Sequence, residues 1–186
     1  MQYVIVGIGG QGILFASKAL GAIAMNNGLH VMGSEVHGMA QRGGSVVSHF
    51  KTGEYVSPLV RAGEADLLLA FDQNEGVRNL HFLREGGAFV VNVHDASAFA
   101  NPKLDAFLKE RRVSVFALEG YRLLKEHMGG NFLFLNVLLM GGMCGAGVGA
   151  PSFDETASAV KALSPAKFED ANMKVFKLGY ETIANS

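Results

Sequence analysis

Residues 34–46, SEVHGMAQRGGSV, crowd ionisable side chains onto a glycine-rich backbone. Glu35 and His37 are two positions apart, so on a strand both side chains would point to the same face of the sheet. The imidazole of His37 can carry a proton near neutral pH, and Arg42 offers a planar donor fork that suits a carboxylate or a phosphate. Glu35, His37 and Arg42 are therefore the predicted catalytic group.

The residues around Arg42 predict a place where a ligand can approach closely. Gly43 and Gly44 allow the backbone to pass near whatever Arg42 holds, and Gln41 adds an amide beside it. We expect Gln41, Arg42, Gly43 and Gly44 to contact a ligand.

Two other interpretations of this segment stay open. In the first, Arg42 pairs with Glu35 and the loop is a polar connection that binds nothing. In the second, Glu35, His37 and His49 hold a metal ion, but their spacing matches no recognised ligand pattern. We therefore predict no metal site.

A second motif, GIGGQG at residues 7–12, follows an apolar run and opens a helical pattern. Glycines here permit a tight turn, and the N-terminus of the next helix offers free N–H groups and a positive partial charge to a phosphate. Gln11, set between glycines, suggests a side chain used for hydrogen bonding. The predicted ligand-binding residues of this glycine turn are Gly7, Gly9, Gly10, Gln11 and Gly12.

The glycine turn also fits the start of a nicotinamide-binding domain, which needs an acidic residue at the end of its second strand. Glu35 lies 23 residues beyond Gly12, close to that expectation. Such a domain gives no reason for the HGMAQRGG segment that follows. A tight turn without any ligand is the remaining option.

Strands and helices alternate along the chain and must position these motifs. Apolar runs predict strands over 2–6, 29–36, 65–71, 87–93 and 113–118, and helical patterns cover 13–28, 74–83, 102–112, 131–140 and 153–183. Residues 45–53 predict an edge strand or a hairpin arm. The first strand, helix and second strand form a βαβ unit, which implies parallel pairing with a right-handed crossover. The predicted fold is α/β: a Rossmann-like, doubly wound, mostly parallel sheet with a helical C-terminal third.

Length and composition bound the class of protein. The chain has 186 residues, 49% hydrophobic and 18% charged, which suits one globular domain with a core. Its net charge of −1 gives no electrostatic reason to expect nucleic acid or an anionic membrane as a partner. The opening MQYVIVG shows no signal peptide, so we expect a cytoplasmic location.

Cys144 is the single cysteine, which excludes a disulfide framework and a four-thiolate iron–sulfur site within the chain. We expect it to pack as a small buried hydrophobe. It lies in the uncharged run 132–150, which approaches the length of a membrane span. Asn136, five glycines in the second half and the absence of a flanking basic cluster favour a buried helix that ends in a loop before Pro151. The Met-rich part of this run is expected to be core.

Three segments together resemble a known family. GIGGQGILFASKAL, SEVHGMAQRGGSVVSHF and NVLLMGG with KFEDANMKVFKLGYE are similar to the small (beta) subunit of indolepyruvate:ferredoxin oxidoreductase. They are more distantly similar to the gamma subunit, or gamma domain, of 2-oxoacid:ferredoxin oxidoreductases. The resemblance runs from about residue 2 to about residue 182, and it implies that residues 1–186 form a single gamma-type catalytic domain.

The resemblance implies that this chain is one subunit of an enzyme and that the chain is inactive without the other subunit. The reaction would be the oxidative decarboxylation of an aryl 2-oxoacid with coenzyme A, giving an aryl-acetyl-CoA, carbon dioxide and reduced ferredoxin. Thiamine diphosphate with Mg²⁺ and the iron–sulfur clusters would belong to a large partner subunit. Coenzyme A is the one cofactor that this chain itself would contact. The glycine turn would face a phosphate of coenzyme A or the subunit junction, and Arg42, with Gly43 and Gly44, would approach the substrate, coenzyme A or the partner subunit.

Three alternatives remain. The chain could be the gamma subunit of another 2-oxoacid:ferredoxin oxidoreductase, acting on pyruvate, 2-oxoglutarate or a branched-chain 2-oxoacid. A stand-alone NAD(P)-dependent oxidoreductase predicts that the isolated chain binds NADH. A non-catalytic nucleotide-binding module predicts ligand binding without turnover in any assembly.

Overall fold

Six strands and seven helices occupy the part of the chain that the computed structural model describes, residues 1–38, 43–94, 100–148 and 151–186. The strands are β1 (Gln2–Ile8), β2 (Val31–His37), β3 (Ser45–Thr52), β4 (Ala65–Ala70), β5 (Leu83–Asn92) and β6 (Ser114–Leu118). The helices are α1 (Ile13–Asn26), α2 (Gln73–Arg78), α3 (Pro102–Glu110), α4 (Gly120–Met128), α5 (Leu135–Ala146), α6 (Phe153–Leu163) and α7 (Glu169–Ala184).

The strands form one sheet in the order β2-β3-β1-β4-β5-β6. β1, β4, β5 and β6 are mutually parallel, whereas β3 is antiparallel to both of its neighbours. The α/β, mostly parallel sheet is therefore confirmed. The predicted pairing of β1 with β2 is wrong, because β2 and β3 form a hairpin that folds back and places β3 against the full length of β1.

Residues 45–53 were predicted to be either an edge strand or a hairpin arm, and the hairpin decides between the two. β3 is a hairpin arm, but it lies inside the sheet, and the edge is taken by β2. β2 still runs in the same direction as β1, since each is antiparallel to β3. The carboxyl ends of β1, β2, β4, β5 and β6 consequently share one edge of the sheet, called the carboxyl edge below.

Apolar side chains cover both faces of the sheet, as expected for strands with near-continuous apolar runs. On one face Ile5, Leu67 and Leu69 are buried in a core formed with α1 and the C-terminal helices. On the other face Val4 and Leu68 belong to a second core, which α2 and α3 border. The doubly wound arrangement follows from these two layers of helices.

The helical C-terminal third packs around the uncharged run. Met140 and Met143 have no exposed surface, so the Met-rich stretch is core, as predicted. Gly141 and Gly179 let α5 and α7 approach closely, because a Cβ at either position would lie 2.0 Å from a carbonyl oxygen of the other helix. None of the helices in the described ranges is long and apolar enough to cross a membrane.

The helices differ from the sequence pattern at several points. The helix predicted over 131–140 begins as a 3₁₀ turn, Phe132–Phe134, and its α-helical part runs from Leu135 to Ala146. α4 was not predicted, since its short segment has no strong apolar run. The helix predicted over 74–83 ends at Arg78 and is followed only by a 3₁₀ turn, Leu80–Phe82. The region 153–183 is divided into α6 and α7 near Pro165, whose ring cannot continue a regular helix.

Candidate functional site

The two motifs that carry most of the polar chemistry meet at the carboxyl edge of the sheet. The backbone N–H of Gly9 donates to the carbonyl of Gly44 at 2.9 Å. Beside this bond, Ile8 at the end of β1 pairs with Ser45 at the start of β3. The glycine turn and the Gly43–Gly44 end of the hairpin therefore form one continuous backbone surface.

The shape of the glycine turn requires glycine at two positions. Gly10 and Gly12 have φ angles of 102° and 86°, in the left-handed region that other residues rarely adopt. A Cβ at Gly12 would lie 2.6 Å from Nδ2 of Asn136, whereas a Cβ at Gly10 would meet no atom within 4 Å. Gly12 thus sits against α5, and Gly10 faces open space where a ligand can approach.

The Gln11 side chain is engaged within the chain. Its Oε1 accepts the N–H of Ile8 at 2.7 Å, and its Nε2 donates to the Phe71 carbonyl at 3.4 Å and to Tyr121 Oη at 3.1 Å. The Gln11 amide was expected to form hydrogen bonds, and it forms them with groups of the protein itself. In this geometry a ligand at the turn would meet backbone N–H groups in place of the Gln11 amide.

The N-terminus of α1 carries no side-chain cap among the described residues. Gly12 occupies the cap position, and the first turn contains no acidic residue. It borders a cleft of about 590 Å³, whose lining residues are Gly9, Gly10, Gly12, Ile13, Leu14, His37 and Val46. Uncapped N–H groups and the positive end of the helix dipole suit an anionic group such as a phosphate.

Glu35 and His37 lie on the same side of β2, as their spacing predicts. Nε2 of His37 is 3.9 Å from Oε2 of Glu35, and the His37 side chain is 55% exposed. The register across β3 pairs His37 with Val46 and Val46 with Gly7, which brings the imidazole to the cleft of the glycine turn. His37, with Glu35 beside it, therefore borders the candidate anion site.

Glu35 also lines a second, smaller cleft between α1 and the hairpin. This cleft has a volume of about 330 Å³ and includes Lys18 and the hydroxyl-bearing residues Ser17, Ser34 and Ser48. Leu14 borders both clefts, so they are neighbours along α1. Glu35 is separated from β1 by β3, whereas the ribose-binding acid of a nicotinamide domain ends the strand next to the first.

His49 does not join Glu35 and His37. Its Nδ1 accepts the N–H of Val60 at 3.3 Å, and its ring packs edge-on against Phe82, on the opposite face of the sheet. Burial, with Lys51 as a second cause, lowers the pKa of His49 below its ordinary value. The metal site considered from these three side chains is not assembled, and no group of three or more potential metal ligands occurs in the described ranges.

Part of the predicted site lies outside the described residues. Gln41 and Arg42 fall between the described residues Gly38 and Gly43, so their predicted contacts, and the alternative pairing of Arg42 with Glu35, stay predictions. Gly43 has a φ of 75°, which glycine accommodates without strain.

A buried acidic group that the sequence pattern did not indicate lies beside the glycine turn. Glu75, in the first turn of α2, accepts a hydrogen bond from Ser45 Oγ at 2.6 Å and pairs with Arg78 at 2.8 Å. It is 6% exposed. Its position after the apolar strand β4, in the segment FDQNEG, was the available signal, and it ties α2 to the start of β3.

A second missed group joins the ends of β4, β5 and β6. Asn92, which has no exposed surface, donates to the Phe71 carbonyl at 3.1 Å and accepts the N–H of Gly120 at 3.0 Å. The Phe71 carbonyl also accepts from Gln11, so this network reaches the glycine turn. A lone Asn at the end of an otherwise apolar strand was the signal for it.

Cys144 is poorly suited to hold an iron–sulfur cluster. It is the only cysteine in the chain, it is 8% exposed, and its thiol donates to Thr156 Oγ1 at 3.2 Å. Burial raises the pKa of the thiol to about 11, which disfavours the thiolate that ligates metals.

Comparison with known proteins assigns the chain to one family. Residues 2–182 match the family described as pyruvate ferredoxin/flavodoxin oxidoreductase. Because the match covers nearly the entire chain, the protein belongs to this family.

Two relatives place the chain within the family. An indolepyruvate oxidoreductase subunit IorB from Thermococcus kodakarensis is 36% identical and aligns with 95% of this chain and 92% of its own length. A 2-oxoglutarate synthase subunit KorC from Methanothermobacter thermautotrophicus is 26% identical over 96% of this chain and 93% of its own.

Solved structures show the same fold. The gamma subunit of a keto/oxoacid ferredoxin oxidoreductase from Geobacter sulfurreducens superimposes with a TM-score of 0.76 at 24% identity, covering 100% of this chain and 99% of that one. A 2-oxoglutarate:ferredoxin oxidoreductase from Magnetococcus marinus, solved with 2-oxoglutarate, coenzyme A and succinyl-CoA bound, superimposes with a TM-score of 0.74 at 16% identity. This chain corresponds to 31% of that longer chain, and all of this chain is covered.

Proposed function

We propose that this chain is the small subunit of an indolepyruvate-type ferredoxin oxidoreductase. The complex oxidatively decarboxylates an aryl 2-oxoacid with coenzyme A and passes the electrons to ferredoxin. The observation that carries the proposal is the full-length similarity to proteins named indolepyruvate oxidoreductase subunit IorB, at 31–36% identity. The alternative of a 2-oxoglutarate enzyme is supported only by the lower identity of 26% to KorC.

The proposal divides the chemistry between two chains. Thiamine diphosphate with Mg²⁺ supplies carbanion chemistry, and iron–sulfur clusters accept single electrons, both in the large partner subunit. Residues 1–186 act as one gamma-type domain in the cytoplasm and turn over no substrate alone. The single buried thiol of Cys144 supports this division, since the chain has no thiolate set for a cluster.

The glycine turn holds an anionic group of coenzyme A in this proposal. Gly9, Gly10 and Gly12 present the backbone, and the uncapped start of α1 supplies N–H groups and positive partial charge. A bound phosphate would gain charge-assisted hydrogen bonds without displacing any side-chain cap. The solved homologous fold with coenzyme A bound supports the choice of ligand.

The polar hairpin completes the site from the other side of the cleft. His37, close to Glu35, can accept or release a proton at the cleft that the turn borders. Arg42, with Gln41 beside it, is proposed to bind the 2-oxoacid carboxylate or a phosphate through its planar fork. Gly43 and Gly44 keep this end of the hairpin against Gly9.

The experiment is to purify the chain anaerobically with its large partner from the native host and to assay several 2-oxoacids with coenzyme A and ferredoxin. Turnover of indolepyruvate and phenylpyruvate above pyruvate and 2-oxoglutarate is expected. Arg42→Ala should lower this activity sharply while the complex still assembles. Arg61→Ala, at an exposed arginine in the β3–β4 connection, is the matched control. A complex that prefers 2-oxoglutarate, or a chain that purifies alone and binds NADH, would overturn the proposal.

A further inference from the structure

Tyr121 stands at the junction between the glycine turn and the far side of the carboxyl edge. We propose that Tyr121 is a positioning residue for the glycine turn and acts through the Gln11 side chain. The inference rests on the proposed function for the identity of the ligand, coenzyme A, and adds a residue from the fourth helix to the site. Tyr121 matches none of the ligand-binding residues expected from the sequence.

The hydrogen bonds of Gln11 define what Tyr121 controls. Oε1 of Gln11 holds the N–H of Ile8, the last residue of β1, at 2.7 Å and so fixes where the turn begins. Nε2 has two acceptors, Tyr121 Oη at 3.1 Å and the Phe71 carbonyl at 3.4 Å. The tyrosine is the closer of the two. Without its hydroxyl, Nε2 keeps only the longer bond.

The remaining acceptor is already shared. The Phe71 carbonyl also accepts from Asn92 Nδ2, at the shorter distance of 3.1 Å. Among the described residues, Tyr121 is the only acceptor of Gln11 Nε2 besides this shared carbonyl. A Cβ at Gly7 would lie 2.6 Å from Oε1 of Gln11, which shows how closely the amide is fitted under the turn.

The ring of Tyr121 is itself held in place. Phe132 contacts it edge-on with ring centroids 5.1 Å apart, and His94 lies on another side at 6.3 Å. Gly120 precedes it at the start of α4, where its N–H is fixed by Asn92 Oδ1. Because the ring is packed independently of the hydroxyl, replacing Tyr121 by Phe should remove one hydrogen bond and leave the ring contacts.

A loosened Gln11 would free the Ile8 N–H and broaden the range of turn conformations. Ligand binding must then select the competent conformation, which weakens apparent affinity. The reacting carbon lies with the partner's cofactor, so the chemical step should be less affected. Tyr121→Phe should therefore raise the KM for coenzyme A about threefold to tenfold, the range expected for one lost hydrogen bond, with a smaller change in kcat.

The test combines kinetics of the reconstituted complex with amide hydrogen exchange of the full chain. Tyr121→Phe is compared with Tyr180→Phe, the same chemical change on α7, where the ring packs on Phe153. The Ile8 amide should exchange faster in Tyr121→Phe and not in Tyr180→Phe. A double variant with Gln11→Ala should have the same KM for coenzyme A as Gln11→Ala alone, because both changes break one connection.

Two results would overturn the inference. One is unchanged Ile8 exchange in Tyr121→Phe, and the other is KM effects that multiply in the double variant. Failure of the proposed function has a different signature, namely a wild-type complex without coenzyme A-dependent oxidation of arylpyruvates. In that case the exchange experiment, which needs no ligand, still decides whether Tyr121 positions the turn.

Discussion

Asn136 of α5 lies directly over Gly12, the residue that caps α1: a Cβ on the glycine would fall 2.6 Å from the amide Nδ2. The start of α1 therefore packs against a helix more than a hundred residues later in the chain. The glycine turn is consequently part of the tertiary packing as well as a local backbone motif.

Alanine substitutions at the two turn glycines with positive φ should separate the cost of backbone strain from the cost of a steric clash. Gly10→Ala meets only the cost of its φ angle, about 1–3 kcal/mol, because the surrounding space is open. Gly12→Ala carries a similar strain and also displaces Asn136. We expect a clearly larger fall in the urea midpoint for Gly12→Ala. Equal losses in the two variants would show that the Asn136 contact is unimportant.

The contact of α5 with α7 should be intolerant of a single methyl group. In Gly141→Ala the new Cβ would lie 2.0 Å from the Phe176 carbonyl oxygen, so the helices must separate. The expected loss is about 3 kcal/mol or more in the free energy of unfolding, measured by urea denaturation.

Gly21→Ala, within a helix, is expected to stabilise the fold, in contrast to the glycine substitutions above. Gly21 lies in α1, and its nearest neighbour atoms, in the Phe50 ring, would be at an ordinary distance of 3.8 Å from a Cβ. Alanine should therefore stabilise the fold by about 0.5–1 kcal/mol through its higher helix propensity. Destabilisation by this variant would mean that the α1 packing is tighter than described.

Stability should decline in mild acid because of His49. Burial, assisted by Lys51, lowers the pKa of this imidazole in the folded chain below its ordinary value of 6.5. The unfolded chain then binds the proton more readily, so stability is retained above about pH 6.5 and falls as the pH drops toward the folded-state pKa.

His49→Gln should flatten this decline, as followed by urea midpoints between about pH 5 and 8. The same change at exposed His127 serves as the control and should leave the decline in place. An undiminished acid response in the His49 variant would assign the effect to other groups.

Cys144 should be nearly inert in the folded protein. Its pKa of about 11, raised by burial, leaves little thiolate at pH 8. Labelling by a disulfide reagent should be about a hundredfold slower than in the urea-unfolded chain, or slower still. Rapid labelling without denaturant would show that the α5–α6 contact around Thr156 opens readily.

The sequence pattern was sufficient to predict all six strands and the α/β class. β1, β4 and the second half of β5 are buried and leave a strong apolar signal, whereas β2 and β6 are largely exposed and were predicted from shorter apolar runs. The pattern could not predict the strand order. β2 pairs directly with β1 unless β3 folds back and lies between them. That outcome depends on the pairing of β3 with β1, which is a long-range contact. The spacing of Glu35 and His37 predicted their shared face, since a strand has a period of two.

The geometry of the candidate site was predictable where it depends on residue type and spacing, and less so where it depends on packing between distant segments. Gly9 and Gly44 were both named from the sequence, but their hydrogen bond was not. Gln11 was recognised as a hydrogen-bonding residue, whereas its partner Tyr121 lies 110 residues away in a helix with no strong local pattern. Asn92 and Glu75 follow apolar strands, where polar residues could have been noticed as candidates.

In the hairpin of β2 and β3, the length of the connection bears on which way Glu35 and His37 face. Within the described sheet β2 pairs only with β3, so the number of residues that connect these two strands affects which β2 residues face α1. Removing or adding one residue there, with the pairing shifted by one, would turn Glu35 and His37 to the opposite face. Homologues that vary the hairpin by an even number of residues could keep the pair in place, whereas an odd change would demand a compensating bulge.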